Sequence, residues 1–392
     1  MPDSQPTTRR TRFVCISDTH NACPGGAFKL PRGDVLICAG DMTNQGSYSE
    51  LKKAVDWLEG ADFEKKIVAA GNHDITLDTD FYSQYGLYFH NQNPQDPAKC
   101  QELLQQSSSI TWLRHESAVI SLTLPTGPRT TFKIFGSPCS PADGMWAFGY
   151  SKDEARHIWD RIPLDTDIVL THTPPKYHCD ERNERRAAGC ESLREALWRV
   201  RPKLAICGHI HDGRGSELIR WDLGTSNTKY REDGLERWED PGRDNKKMSL
   251  VDLTAKGRNP IDNDGSVGDL VAASKDGTPQ SLQYTVPILQ SDGNKLEEPW
   301  KLKSNTNTTM GLAHPKASSR VVPSEDLFPA TRGQGGLPPS QRCDLEALSG
   351  RLGRKETCVI NAAITASSYP HTGGRKFNKP IVVDIDLPVC ES

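Results

Sequence analysis

At about 100–200 residues per domain, a chain of 392 residues is expected to be two units, or one large unit with insertions. Lys+Arg of 48 against Asp+Glu of 51 give a formal net charge of −3, which argues against a protein that holds nucleic acid or anionic lipid through bulk charge. Counting its 32 Gly in place of its 9 Tyr brings the apolar share to about 41 %, below the ~45–50 % of globular chains, so part of the chain is expected outside any core.

In chain order, residues 12–17 (RFVCIS) form a short apolar run that stops at Asp18. Residues 34–38 (DVLIC) form a second, which stops at Gly40-Asp41. From Ser49 to Gly60 the residues Leu51, Ala54, Val55 and Leu58 share one helical face, with Gly60 as a stop. The run 66–70 (KIVAA) stops at Gly71-Asn72, 167–171 (DIVLT) at His172, and 203–207 (KLAIC) at Gly208-His209. Between the last two, Glu191 to Val200 repeats the helical pattern with Leu193, Ala196, Leu197 and Val200. Each apolar run has strand length and is rich in β-branched residues. From about 224 to 355 the chain is rich in Gly, Pro, Asn, Ser and Lys, a composition that offsets the entropy of ordering poorly. Strand-like runs resume at 357–364 (TCVINAAI) and 380–387 (PIVVDIDL). The expected organisation is a flexible terminus 1–11, a core 12–223, a low-complexity, largely disordered insertion 224–355, and C-terminal strands 356–388 that complete the core.

Strands alternating with helices point to a layered α/β fold, in which ligands sit beyond the carboxyl ends of the strands. Here those ends carry Asp, Asn or His. The eleven cysteines are odd in number and include no C-x-x-C pair. Cys15, Cys38 and Cys207 lie inside apolar runs, where a free thiol acts as a small hydrophobe. MPDSQPTTRRTRF has no apolar signal core, and no run approaches the ~18 apolar residues of a membrane span. The expectation is a reduced, soluble, intracellular protein, cytoplasmic by default, with no structural zinc site of the cysteine kind.

Asp18-Thr19-His20 and Gly40-Asp41 are common patterns alone, and loop capping explains either. Gly71-Asn72-His73-Asp74 is more specific, and Gly208-His209-Ile210-His211 adds a His pair. In an extended segment residues i and i+2 point to one side, so Asp18 with His20, and His209 with His211, are each expected to aim at one point. Together the strand ends supply Asp18, His20, Asp41, Asn72, His172, His209 and His211, a nitrogen and oxygen set without sulfur. That many ligands suit two metals about 3.5–4 Å apart with one bridging carboxylate. Imidazole and carboxylate suit Mn, Fe, Zn or Ni better than Ca.

DTH, GD, GNHD, THTPP and GHIH, in this order and spacing, resemble the calcineurin-like metallophosphoesterases. GHIHDGRG followed by CVINAA resembles the metallophosphoesterase-domain proteins of the brain-protein type and the bacterial cyclic-nucleotide phosphodiesterases within them. The resemblance covers roughly residues 10–222 and 356–388. The serine/threonine phosphatase branch carries GD-x-x-D-R-G and GNHE, whereas this chain reads GDMTNQG and GNHD.

The resemblance implies an αββα sandwich with the site at the sheet edge. It assigns Asp18, His20 and His211 to a first divalent metal, Asn72, His172 and His209 to a second, and Asp41 to both. His73 would face the substrate phosphate and leaving oxygen. Asp74 would either orient His73 by accepting its second ring proton or cap its loop. The implied reaction is attack of a hydroxide between the metals on a small phosphate ester, with a nucleotide among the candidates and a phosphodiester as the favoured class. A phosphomonoesterase, or a nucleotide-binding scaffold whose insertion recruits a protein partner, are the alternatives. Trp146, Phe148 and Tyr150 could stack a base, though a packed loop is the favoured reading. Arg182, Arg185 and Arg186 could hold a distal phosphate, though a solvated loop is favoured. His90, His115, His157, His178, His314 and His371 show no ligand spacing.

Overall fold

A computed structural model describes residues 7–181, 187–222, 230–257, 260–263, 354–367 and 374–390. Its strands are β1 (Thr8–Ile16), β2 (Val35–Ala39), β3 (Lys65–Ala69), β4 (Ile110–Leu113), β5 (Glu116–Ser121), β6 (Thr131–Ser137), β7 (Ser140–Pro141), β8 (Gly149–Tyr150), β9 (Ile168–Thr171), β10 (Leu204–Cys207), β11 (Gly215–Trp221), β12 (Glu232–Arg237), β13 (Ser249–Asp252), β14 (Glu356–Asn361) and β15 (Ile381–Pro388). Its helices are α1 (Tyr48–Glu59), α2 (Thr79–His90), α3 (Pro97–Gln105), α4 (Ala155–Trp159) and α5 (Glu191–Val200).

One sheet runs β13-β15-β1-β2-β3-β4 and the other β12-β11-β14-β10-β9-β6-β5. In the first, β1 to β4 are parallel, and β15 joins β1 antiparallel. In the second, β6, β9, β10 and β14 are parallel. Parallel strands covered on both faces read as continuous apolar runs rather than alternating ones, which is the pattern of FVCI, VLIC and LAIC. Alternate residues go to different layers. Phe13, Cys15, Ile37 and Ile67 face Ile134, Leu170, Ile206 and Ile360 between the sheets. Val14, Ile16, Leu36 and Cys38 pack on the outer side with Leu51, Val55 and Leu58 of α1 and with Cys100 and Leu104 of α3. Phe135, Val169, Ala205 and Val359 do the same with Trp159 of α4 and Leu193 and Leu197 of α5. The result is an αββα sandwich.

Both helices expected from the sequence form, with the expected apolar faces buried. Ser47 begins α1 through a capping box with Glu50, which satisfies two otherwise unpaired N–H groups. All ten described cysteines are free. Among the described residues no helix is long and apolar enough to cross a membrane.

The expected boundaries shift in two places. First, β1 begins at Thr8 rather than 12, because Thr8–Cys15 pair residue by residue with β15. Second, the described residues of 224–355 contribute two strands, β12 paired with β11 and β13 paired with β15. Both are sheet edges; β12 (EDGLER) is mostly exposed and held by backbone pairing, so no apolar pattern marked it. Residues 264–353 of that stretch lie outside the described residues. Its flanks meet: Asn263 Oδ1 accepts from Lys355 N at 2.7 Å and Glu356 N at 2.9 Å.

Candidate metal centre

The carboxyl ends of β1, β2, β3, β9 and β10 lead into loops that carry all seven expected ligands. Close approach of these loops explains their glycines. A Cβ on Gly208 would collide with Ser17 Oγ and Asp18 Oδ2, and one on Gly71 with Asp41 Oδ1. Backbone bonds stitch the first two loops together: Asp18 N donates to Gly40 O at 2.9 Å and His20 N to Asp41 O at 3.0 Å. Asp18, His20, Asp41 and His209 all have positive φ, at 52°, 43°, 51° and 66°. Such backbone costs about 1–3 kcal/mol per residue and gathers at functional sites.

These turns correct the extended-segment expectation for His209 and His211, whose rings diverge. His209 Nδ1 lies 2.9 Å from Asn72 Oδ1, as does His172 Nε2. His211 Nε2 instead lies 3.4 Å from Asp18 Oδ1 and 3.3 Å from His20 Nε2. Asp41 stands between the two ends, with Oδ2 3.4 Å from His172 Nε2 and 3.8 Å from His20 Nε2. Three sets, Asp18-His20-His211, His20-Asp41-His73 and Asp18-Asp41-His172, each bring their ligand atoms within 4.8 Å of one another.

Protein groups orient these side chains by hydrogen bonds to their outer atoms, as the partners of metal ligands commonly do. His172 Nδ1 donates to Ala39 O at 2.8 Å, and His20 Nδ1 donates to Thr43 O at 3.2 Å. With Nδ1 spent on a carbonyl, each ring turns Nε2 inward. Asp18 accepts the His209 N–H at 3.0 and 3.1 Å, and Asp41 Oδ1 accepts the His73 N–H at 2.8 Å.

The electrostatics test whether this set suits cations. Burial would depress His172, but Asp41 and Asp18 reverse that and raise it to about 9. Burial opposes ionisation of Asp41 too, yet His172, His73 and His20 hold it well below its usual value. For His20 burial wins over Asp41 and Asp18, lowering it to about 4. The neutral ring leaves a lone pair 3.3 Å from another ring nitrogen. Two buried carboxylates thus draw positive charge onto the histidines around them, and divalent metal ions, which suit such nitrogen and oxygen donors, can take the place of those protons.

His73 lies beside His20 and Asp41, half-buried, with Nδ1 donating to Asn44 O at 2.8 Å. Of the two expected roles of Asp74, its contacts are those of the loop cap and not of a His73 partner. Its carboxylate accepts from Thr43 Oγ1 at 2.7 Å, Thr43 N at 3.0 Å and Gly71 N at 2.9 Å, so it ties the GD and GNHD loops together. Burial and nearby Asp41 raise it to about 6. Trp146 stands against His73, while Phe148 and Tyr150 are buried in core clusters. Arg182, Arg185, Arg186, His314 and His371 lie outside the described residues. His90, His115, His157 and His178 fall outside the three sets.

Sequence reasoning missed three supports from the C-terminal segment. Asn361 Nδ2 donates to Cys179 O at 2.9 Å and Ile210 O at 2.8 Å, steadying the GHIH turn. Thr365 Oγ1 donates to Asp18 O at 2.7 Å, and Arg375 donates to His20 O at 3.0 Å. The one signal was an Asn inside the otherwise apolar run CVINAA.

Comparison with known proteins agrees with this geometry. The chain is 38 % identical over 234 residues to "Probable rhamnogalacturonate lyase C" of Emericella nidulans, covering 59 % of this chain and 20 % of that protein. It is 35 % identical over 212 residues to human "Metallophosphoesterase domain-containing protein 1", covering 52 % of this chain and 62 % of that one. "UPF0046 protein T07D4.2" of Caenorhabditis elegans is 36 % identical over 214 residues, covering 52 % of each. The chain thus spans less than two thirds of the length of each of these relatives. A profile of the calcineurin-like phosphoesterases matches residues 11–213, and the chain belongs to that family.

Proposed function

We propose that the chain hydrolyses phosphate esters, with phosphodiesters as the favoured class, using two divalent metal ions. In this reading Asp18, His20 and His211 would hold one ion, Asn72, His172 and His209 would hold the other, and Asp41 would serve both. The observation that carries it is the position of Asp41, which approaches His20 at one end and His172 at the other. When bound, a pair of divalent ions activates water and draws charge off phosphoryl oxygens.

The chain's own residues set up the rest. His20 and His172 present Nε2 because Thr43 O and Ala39 O take their Nδ1 protons. His73 likewise spends Nδ1 on Asn44 O, so Nε2 is the nitrogen left for the ester. In its charged form it donates there to a nonbridging or leaving oxygen. Asp74 keeps the two loops in register rather than exchanging protons with substrate.

The test is a panel of p-nitrophenyl and alkyl diesters and monoesters with Mn-loaded protein, beside His73→Ala. General acid help is worth ~10²–10⁴-fold, and it matters most for an alkoxide leaving group. The His73→Ala deficit should widen from p-nitrophenyl to alkyl esters at constant metal content. Faster turnover of monoesters would reassign the substrate class. Turnover of every ester below about one per hour, against a usual 1–10³ per second, would leave a binding scaffold instead.

A further inference from the structure

Trp146 sits in the turn between β7 and β8, on a loop sewn to the GNHD loop. Ala147 N donates to Asn72 O at 3.2 Å, and Phe148 N donates to Asp78 Oδ2 at 2.9 Å. The indole lies over the His73 imidazole with ring centroids 3.8 Å apart and planes 32° apart. The edge of His20 closes on His73 at 4.7 Å and 84°. Phe89 backs the indole at 5.4 Å. Trp146 also borders a shallow depression beside Asn72 and His209.

These contacts bear on a specific weakness. Apart from stacking, the His73 ring makes one hydrogen bond among the described residues, Nδ1 to Asn44 O. The terminal torsion of a His side chain is broad and roughly two-fold, so a ring held at one atom can turn over and exchange its nitrogens. A face-on indole resists that turn, because rotation would drive the imidazole edge into it. With this indole face taken by His73, a flat ligand cannot stack there.

We propose that Trp146 is the positioning residue for His73, holding the imidazole with Nδ1 on Asn44 O and Nε2 towards the ester. The kinetic half rests on the phosphoesterase reading above; the conformational half does not. Trp146 touches no reacting atom and acts only through His73.

The experiment compares wild type, Trp146→Ala, Trp146→Phe, His73→Ala and the double Ala variant, all as full chains. The first arm uses metal-free protein and long-range nitrogen–proton NMR of the histidine rings. His73 should show a single Nδ1–H tautomer and ring-current-shifted protons in wild type. Trp146→Ala should lose both, and Trp146→Phe should keep the tautomer. The second arm uses Mn-loaded protein. Aromatic pairs of this kind correspond to about tenfold in rate, so Trp146→Ala should cost about tenfold in kcat on alkyl esters. The loss should be smaller on p-nitrophenyl esters, with KM and metal content little changed, and Trp146→Phe should recover most of it. Added to His73→Ala, the Trp146→Ala change should cost nothing more, the sign of coupled groups. An unaltered His73 spectrum in Trp146→Ala overturns the proposal, as does a loss equal across leaving groups and additive with His73→Ala. Inactive wild type with the expected spectra would fail the phosphoesterase reading and leave the conformational half standing.

Discussion

Asn361→Ala should damage both stability and the metal centre, although residue 361 touches no expected ligand side chain. Asn361 is fully buried at the end of β14. Its Nδ2 donates to Cys179 O and Ile210 O at 2.9 and 2.8 Å, and its Oδ1 accepts from Ala363 N at 3.1 Å. Ile210 O keeps a second donor, Gly213 N at 3.0 Å, so truncation orphans two groups, Cys179 O and Ala363 N. At about 1–3 kcal/mol for each unsatisfied buried group, the expected loss is about 2–6 kcal/mol. That is a large share of the ~5–15 kcal/mol that holds a domain folded. The same change frees the turn that carries His209 and His211. Losing the groups that orient ligands typically costs 10–100-fold in metal affinity. Urea unfolding of metal-free protein reads the first effect and Mn titration the second. Asn361→Asp, which sets a carboxylate against two carbonyl oxygens, should be worse than Ala at pH 8. A stability loss below about 0.5 kcal/mol, the range of surface changes, with wild-type Mn affinity would refute this role.

Three further outcomes are expected. Asp41→Asn should lower metal content at both ends of the site and cost more activity than His20→Ala or Asn72→Ala; two ions with near-normal turnover would remove Asp41 from the shared position. His178 bonds Glu217 through Nδ1 and Glu232 through Nε2, each at 3.0 Å, and only the charged ring donates to both. Burial opposes that charge, but the two carboxylates raise the His178 pKa above 6.5. Its stabilisation is therefore full below about 6.5 and is lost as pH rises through the raised value. Urea midpoints of wild type should fall relative to His178→Gln from pH 6.5 to 9, whereas parallel curves would contradict the ion-pair role. Replacing 264–353 by a short Gly/Ser link should leave cooperative unfolding, since Asn263 already meets Lys355 and Glu356 and closure entropy changes slowly with length. Deleting 230–257 as well removes β12 and β13 and should cost soluble protein; a fully stable product would show that these edges are dispensable.

The candidate site was legible in the sequence because each expected ligand follows a short apolar strand, and such strands deliver their ends to one edge of the sheets. DTH, GD, GNHD and GHIH also keep their glycines where loops must nearly touch, as Gly71 and Gly208 do. Helices α1 and α5 were legible from their period. By contrast, α2 buries only Tyr82 and Gly86, so its sequence TDFYSQYGLYFH carries no clean stripe. Edge strands β12 and β13 depend on backbone pairing, which leaves little compositional mark. The divergence of His209 and His211 turns on a left-handed φ at a non-glycine, a strain held by tertiary contacts. The role of Asp74 depended on where Thr43 sits, 31 residues away, and the His73–Trp146 stack spans 73 positions. Neither is encoded in local spacing.

Elemental analysis of the purified full chain after Mn loading, beside His20→Ala and Asn72→Ala, bears most directly on the proposed dimetal site. Two ions per chain are expected in wild type and about one in each variant, because the two residues serve opposite ends of Asp41. One ion in wild type, or two ions retained in both variants, would contradict the shared-carboxylate centre.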